Sequence, residues 1–192
     1  MWGEKCSCEG KRAIEVAIVL LKPPNSLASK VNLSNYSNPK TMKSALDVAR
    51  YFLCRVDREA GDTISGLKLQ KLVYYAQAWS LVFRSQPLFD RDIEAWVSGP
   101  IVRDVWDQYK AYKYSDIPAP DNFEEEFDED EIEVLEEVWN AYGELSAKHL
   151  AELTQSETPW LNARQGLEPA ETSTKIISRE DMKSCYAPLV EA

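Results

Sequence analysis

Lys68, Gln70, Lys71, Tyr74 and Gln77 lie within ten residues of one another in Ser65-Gly-Leu-Lys-Leu-Gln-Lys-Leu-Val-Tyr-Tyr-Ala-Gln-Ala-Trp79. Together they carry two amines, two amides and a phenol. Two kinds of chemistry suit such a set. Lys68 and Tyr74, with nearby aspartates, could act as a general acid–base pair if burial moves their pKa values. Alternatively the group presents hydrogen-bond donors into a groove that a partner occupies, flanked by Trp96 and Trp160 as aromatic anchors. Against both stands a plainer reading, in which the lysine stems run past neighbouring aromatics so that their charges reach solvent or a carboxylate. Nothing in the spacing demands catalysis.

Other reactive types are sparse. His149 is the single histidine, so no His-pair metal site can form, and no nucleophile stands at a motif-defined distance from it. Cys6 and Cys8 have no companions at zinc-site spacing, and no Gly-rich phosphate loop or G-x-S-x-G turn occurs. The sequence thus implies no cofactor and no metal. Cys54 and Cys185 are expected as small buried residues within helices, a usage that fits a reducing cytoplasm better than secretion.

The element that must position the polar set is the segment itself. At about 100° per residue, Leu69, Leu72, Val73, Ala76, Trp79 and Phe83 share one arc, while Leu67, Tyr74, Tyr75, Ala78, Leu81 and Val82 take the opposite one. Gln70, Gln77 and Arg84 form a narrow seam between them. A helix apolar on two sides is packed from two directions and forms the centre of a domain. Around it, Ser44, Ser65, Ser146 and Ser178 read as helix N-caps, and Ala45, Val48, Ala49, Phe52 and Val56 make an apolar stripe at helical spacing. A further stripe comprises Ile132, Leu135, Val138, Trp139 and Tyr142, with Gly143 at its C-terminus. Thr158-Pro159-Trp160 opens a turn of helix. Asp92–Val97 alternates as a short strand, and Ser98-Gly99-Pro100 is expected to start a helix with proline at its first position. The expected fold is mainly α, a single compact helical domain around a buried central helix, with at most a short β-strand pair.

The 192 residues suffice for one well-buried core. The net charge of −10 is concentrated, because Asp121 to Glu137 holds 11 acidic residues and no basic ones. The remainder is close to neutral, so there is no basic footprint for nucleic acid. The acidic run reads as a solvated loop leading into the first turns of a helix, and less readily as a docking strip for a basic partner or a nucleic-acid mimic. Residues 1–41 are expected as a disordered or non-native extension. The run Ala13–Leu21 is too short for a bilayer and is interrupted by Glu15, and Pro23–Thr41 has linker composition. No membrane association is implied.

The run Leu67–Trp79 resembles the Panacea antitoxin domain of the SocA/GepA-like family. Further matching pieces follow in order: Ala45–Phe52, Pro87-Leu-Phe-Asp90, Ile93-Glu-Ala-Trp-Val-Ser-Gly-Pro-Ile101, Leu153-Thr154 with Pro159-Trp160, and the terminal segment carrying Ile177, Met182 and Tyr186. The resemblance covers 42–192. It implies a mostly helical, cytoplasmic, non-enzymatic antitoxin that neutralises a cognate, neighbour-encoded protein toxin by direct binding, or that acts as an adaptor delivering the toxin to a protease. Partner-contact residues expected on this basis are Lys68, Gln70, Lys71, Tyr74, Gln77, Trp96, Gly99, Pro100 and Trp160. Relatives often carry Thr-His before the Pro-Trp element, whereas here Thr154 is followed by Gln155. No helix-turn-helix or zinc-ribbon extension is present, so DNA binding is not implied.

Overall fold

The computed structural model describes residues 42–112, 114–121, 123–124 and 127–190. The expectations for residues 1–41, including Cys6 and Cys8, lie outside the described residues.

Helix α1 (Ala45–Arg55) begins at a reciprocal cap. Ser44 Oγ accepts from the Asp47 N–H at 3.1 Å, and Asp47 Oδ2 accepts from the Ser44 N–H at 3.2 Å. Its stripe of Ala45, Val48, Ala49 and Phe52 is buried as the spacing predicts. Cys54 corrects the sequence reading: it is exposed, because two residues beyond Phe52 is about 200° around the helix. Cys185 is half-buried.

Helix α2 (Gly66–Phe83) is the central element, and every residue from Leu69 to Leu81 is buried. Helix α1 packs against it, as do α4 (Glu129–Tyr142), α5 (Ala147–Ser156) and α7 (Arg179–Tyr186). A helix enclosed on all sides must satisfy its polar side chains internally, and this requirement shapes everything around it.

Strand β1 (Ile93–Trp96) pairs antiparallel with β2 (Gly99–Val102), with Trp96 opposite Gly99 and Ala95 opposite Pro100. The expected helix start at Gly99-Pro100 is therefore a strand, and helix α3 (Arg103–Tyr109) begins only after Val102. Val97 and Ser98 do not take positive φ, so the reversal is completed by the following Gly99, which supplies it at +96°. Proline fits here as an edge-strand residue whose missing N–H is not called on by β1. Residues 175–177 lie along the other side of β1. The Ala95 N–H donates to Lys175 O and the Ile177 N–H to Ile93 O, each at 2.8 Å.

The acidic run divides. Asp128 caps α4 reciprocally with Glu131, so acidic groups sit at the helix N-terminus where the backbone dipole favours them. Gly143 closes α4 in right-handed geometry (φ −61°), so what favours glycine is space, since a Cβ would lie 3.0 Å from Trp139 Cδ2. Helix α6 (Thr158–Ala163) takes Pro159 in its first turn. The chain is a mainly helical body with one small sheet. Among the described residues, no helix is long and apolar enough to cross a membrane.

Candidate functional site

The seam of α2 works as a substitute strand. In an antiparallel pair, alternate residues turn their backbone groups away from the partner, and on β2 those residues are Pro100 and Val102. Gln70 meets Val102 with both ends of its amide, accepting from the N–H at 2.8 Å and donating to the carbonyl at 3.2 Å. One helical repeat on, Gln77 accepts from the N–H groups of Leu88 (2.8 Å) and Phe89 (3.2 Å) and donates to Phe89 O (2.9 Å). A primary amide reproduces a peptide unit, so these glutamines close two backbone segments that α2 would otherwise bury unpaired.

Lys71 closes the remaining position. Its side chain is fully enclosed, and Nζ donates to Pro100 O at 2.9 Å. Neither solvent nor a carboxylate reaches it as expected; burial alone pushes its pKa down from 10.5 to about 7. Two neighbours fit this amine. Pro100 offers a carbonyl with no N–H beside it, so no second donor faces the lysine. Gly99 offers room, because a Cβ there would lie 2.8 Å from Lys71 Nζ and 3.0 Å from Thr154 Oγ1. Thr154 turns its hydroxyl onto the Leu150 and Ala151 carbonyls, both at 3.0 Å.

On the far side of α2 lies a group that the sequence reading did not single out. Glu157 is 6% exposed and accepts hydrogen bonds from Tyr75 (3.1 Å) and Tyr186 (2.5 Å). Tyr186 also meets Tyr74 at 3.0 Å, and Tyr75 stacks on Tyr142, whose hydroxyl accepts from Trp79 Nε1. Burial raises the Glu157 pKa from 4.5 to about 8, against the opposing effect of the two hydroxyls. Burial and the Glu157 charge push Tyr74 and Tyr75 well above their ordinary value. The only sequence signal was indirect: several tyrosines in an apolar helix need a polar partner, and Glu157 directly precedes Thr-Pro-Trp.

Of the nine residues expected at a partner surface, Gln70, Lys71, Tyr74 and Gln77 are thus enclosed, with their hydrogen bonds spent on the protein itself. Gly99 and Pro100 are buried with them. Lys68 is half-buried on a different side of the helix from Tyr74 and donates to Gly143 O. Desolvation lowers its pKa, partly offset by Glu144 and Asp62. The structure does not bring Lys68 and Tyr74 together.

Trp96 and Trp160 are partly open and meet at one corner, where Trp160 Nε1 donates to Trp96 O at 2.9 Å. Trp106 stands edge-on to Trp96 at 5.3 Å, and the Arg103 guanidinium lies over the Trp96 ring at 4.8 Å. Glu94 holds this arrangement, accepting from Trp96 Nε1 at 2.6 Å and pairing with Arg103 at 2.8 Å. Arg164, also missed from sequence, is buried behind the corner, with its guanidinium 5.0 Å from the Trp160 ring and bonded to Ala95 O at 2.9 Å. Val97, Trp106, Leu161 and Ile176 add exposed apolar surface. An open hollow of about 650 Å³ lies beside Trp96, bounded by Val97, Ser98, Arg103 and residues 172–174. The buried seam therefore serves as the support, and the accessible chemistry is a hairpin corner rich in tryptophan.

Residues 69–161 match the family model described as "Antitoxin SocA-like, Panacea domain". The matched stretch runs from the second turn of α2 to α6 and contains the seam, the hairpin and the three tryptophans of the corner. No curated protein matches the chain. No solved structure matches it either.

Proposed function

We propose, for a chain whose residues 69–161 belong to the SocA-like Panacea antitoxin family, that it neutralises a neighbour-encoded protein toxin by binding it directly, without catalysis. The family match carries this reading. Two structural features support it. The polar side chains of the central helix are occupied in internal hydrogen bonds, Gln70 and Lys71 to the hairpin and Gln77 to Leu88 and Phe89, which leaves them no acid–base task. The hairpin corner offers what protein interfaces favour: tryptophans, an arginine stacked on one of them, and exposed aliphatic neighbours. We place the toxin contact there, with Trp96 and Trp160 as anchors and Gly99, Pro100, Lys71, Gln70 and Gln77 as the frame. We extend the domain to 42–192, because α1 and α7 each cover part of α2 and their removal would expose that part. The cytoplasm is the compartment this reading requires.

The test is co-expression of the chain with the product of the adjacent reading frame. Growth arrest by that product alone, relieved by the chain with toxin levels unchanged on immunoblot, supports direct neutralisation. Relief that depends on a protease and on toxin disappearance would make the chain a delivery adaptor instead. Trp96→Ala should weaken the complex by about 2 kcal/mol or more, as truncation of a central aromatic anchor does. A wild-type affinity in that variant would move the contact elsewhere.

A further inference from the structure

The small sheet is closed on one side and open on the other. β2 is closed by Gln70 and Lys71, and β1 lies between β2 and residues 175–177. The bonds from the Ala95 N–H to Lys175 O and from the Ile177 N–H to Ile93 O fix the alternation of that bridging segment. Lys175 and Ile177 turn backbone groups inward onto β1, so Ile176 between them turns its N–H and carbonyl outward. Among the described residues, neither group has a hydrogen-bond partner.

The edge is short, a single bridge opposite Glu94, but two of the devices that usually blunt such an edge, proline and an outward lysine, are missing. The exposed chain leading to it, Thr172 to Lys175, contains no proline, and Lys175 is folded back onto Gln165 O at 3.0 Å. Ile176, 48% exposed, stands directly opposite Glu94 of β1, whose carboxylate holds Trp96. The open edge therefore adjoins the hollow beside Trp96, and residues 172–174 form the rim between them.

We infer that the toxin is captured by strand addition: an extended segment of its chain pairs with the backbone of Ile176 and seats an alternate side chain in the hollow against Trp96. The inference rests on the antitoxin reading and specifies its mode of contact. An outward N–H and carbonyl of one residue, both unpaired, select a polypeptide backbone, because an extended strand meets both groups at once. The hollow then supplies side-chain preference, which an apolar or aromatic residue meets best.

The test uses the full chain and the purified product of the adjacent reading frame. Ile176→Pro deletes the outward N–H and leaves the inward ladder bonds intact, since the residue before it is already extended. Ile176→Thr keeps the backbone and trims the side chain. Affinity should fall about tenfold or more for Ile176→Pro and change by less than about threefold for Ile176→Thr, with unfolding midpoints confirming that both are folded. Should the proline variant fail to fold, hydrogen exchange of wild type gives an independent reading: the Ile176 amide must slow by about a hundredfold or more on complex formation. Wild-type affinity in a folded Ile176→Pro, or an Ile176 amide as fast in the complex as in the free chain, overturns strand addition while leaving the antitoxin reading standing. Pairing of this edge with a second copy of the chain, seen as concentration-dependent dimers that Ile176→Pro abolishes, would also overturn it. A wild-type chain that does not bind the adjacent product at all removes both.

Discussion

Lys71 shows how one side chain constrains its neighbours. An enclosed amine needs an acceptor, here the Pro100 carbonyl, and in its ammonium form it has no lone pair, so it tolerates no other donor facing it. Pro100 meets the second condition. Pro100→Ala should therefore destabilise the chain by about 1–2 kcal/mol through the new N–H, and much of that loss should vanish in a Lys71→Met background, as urea denaturation of the double-mutant cycle would show. Gly99→Ala should cost about 2–4 kcal/mol, because a Cβ meets Lys71 at 2.8 Å on a backbone at φ +96°. The pH dependence carries two opposing signs. Lys71 falls from 10.5 to about 7, so above that pH the unfolded chain holds the proton more tightly, and stability rises with pH between about 7 and 10.5. Glu157 rises from 4.5 to about 8, so the folded chain holds its proton more tightly, and stability falls between about 4.5 and 8. Unfolding free energies across these windows should show the first slope flattened in Lys71→Met and the second flattened in Glu157→Gln. The groups facing Glu157 are Tyr75 and Tyr74 from α2, Tyr142 from α4, and Cys185 and Tyr186 from α7, all pushed upward by burial and so silent below neutrality.

At the scale of elements, the glutamine seam is the device that joins helix to sheet. Gln77→Leu leaves two N–H groups and a carbonyl buried without partners, and should cost about 2–5 kcal/mol, with faster amide exchange at Leu88 and Phe89 as the local signature. Much of this architecture was legible in the sequence. Apolar residues on both arcs of Leu67–Phe83 required burial from two directions, and the serine caps located four helix starts. The seam was visible as a pattern, but its target was not, because a glutamine at helical spacing does not say whose backbone it meets. Gly-Pro was misread for a related reason. Proline at a helix start and proline on an edge strand look alike locally, and only the pairing of Ala95 with Pro100 separates them. Glu157 escaped notice because a carboxylate before Thr-Pro reads as a surface helix start, whereas the tyrosines enclosing it come from helices distant in sequence.

At the scale of the whole molecule, the surface divides into an acidic shoulder and a tryptophan corner. The shoulder has structural duties within it. Arg84 reaches Glu131 at 3.4 Å and Asp128 at 3.9 Å, so removing the entire run would damage α4 as well as the charge. Neutralising only the exposed Glu124, Glu129 and Asp130 as Gln, Gln and Asn tests the charge alone. Toxin affinity should stay within about threefold of wild type, because exposed charges contribute little at physiological salt. A large loss would make the shoulder the docking strip. The central claim is that this chain is a binding protein whose partner is a toxin. The most direct measurement is titration calorimetry of the purified chain against the purified product of the adjacent reading frame. The account predicts a saturable complex that forms without turnover and that Trp96→Ala weakens. Absence of binding heat at any attainable concentration, or consumption of the partner as a substrate, would contradict it.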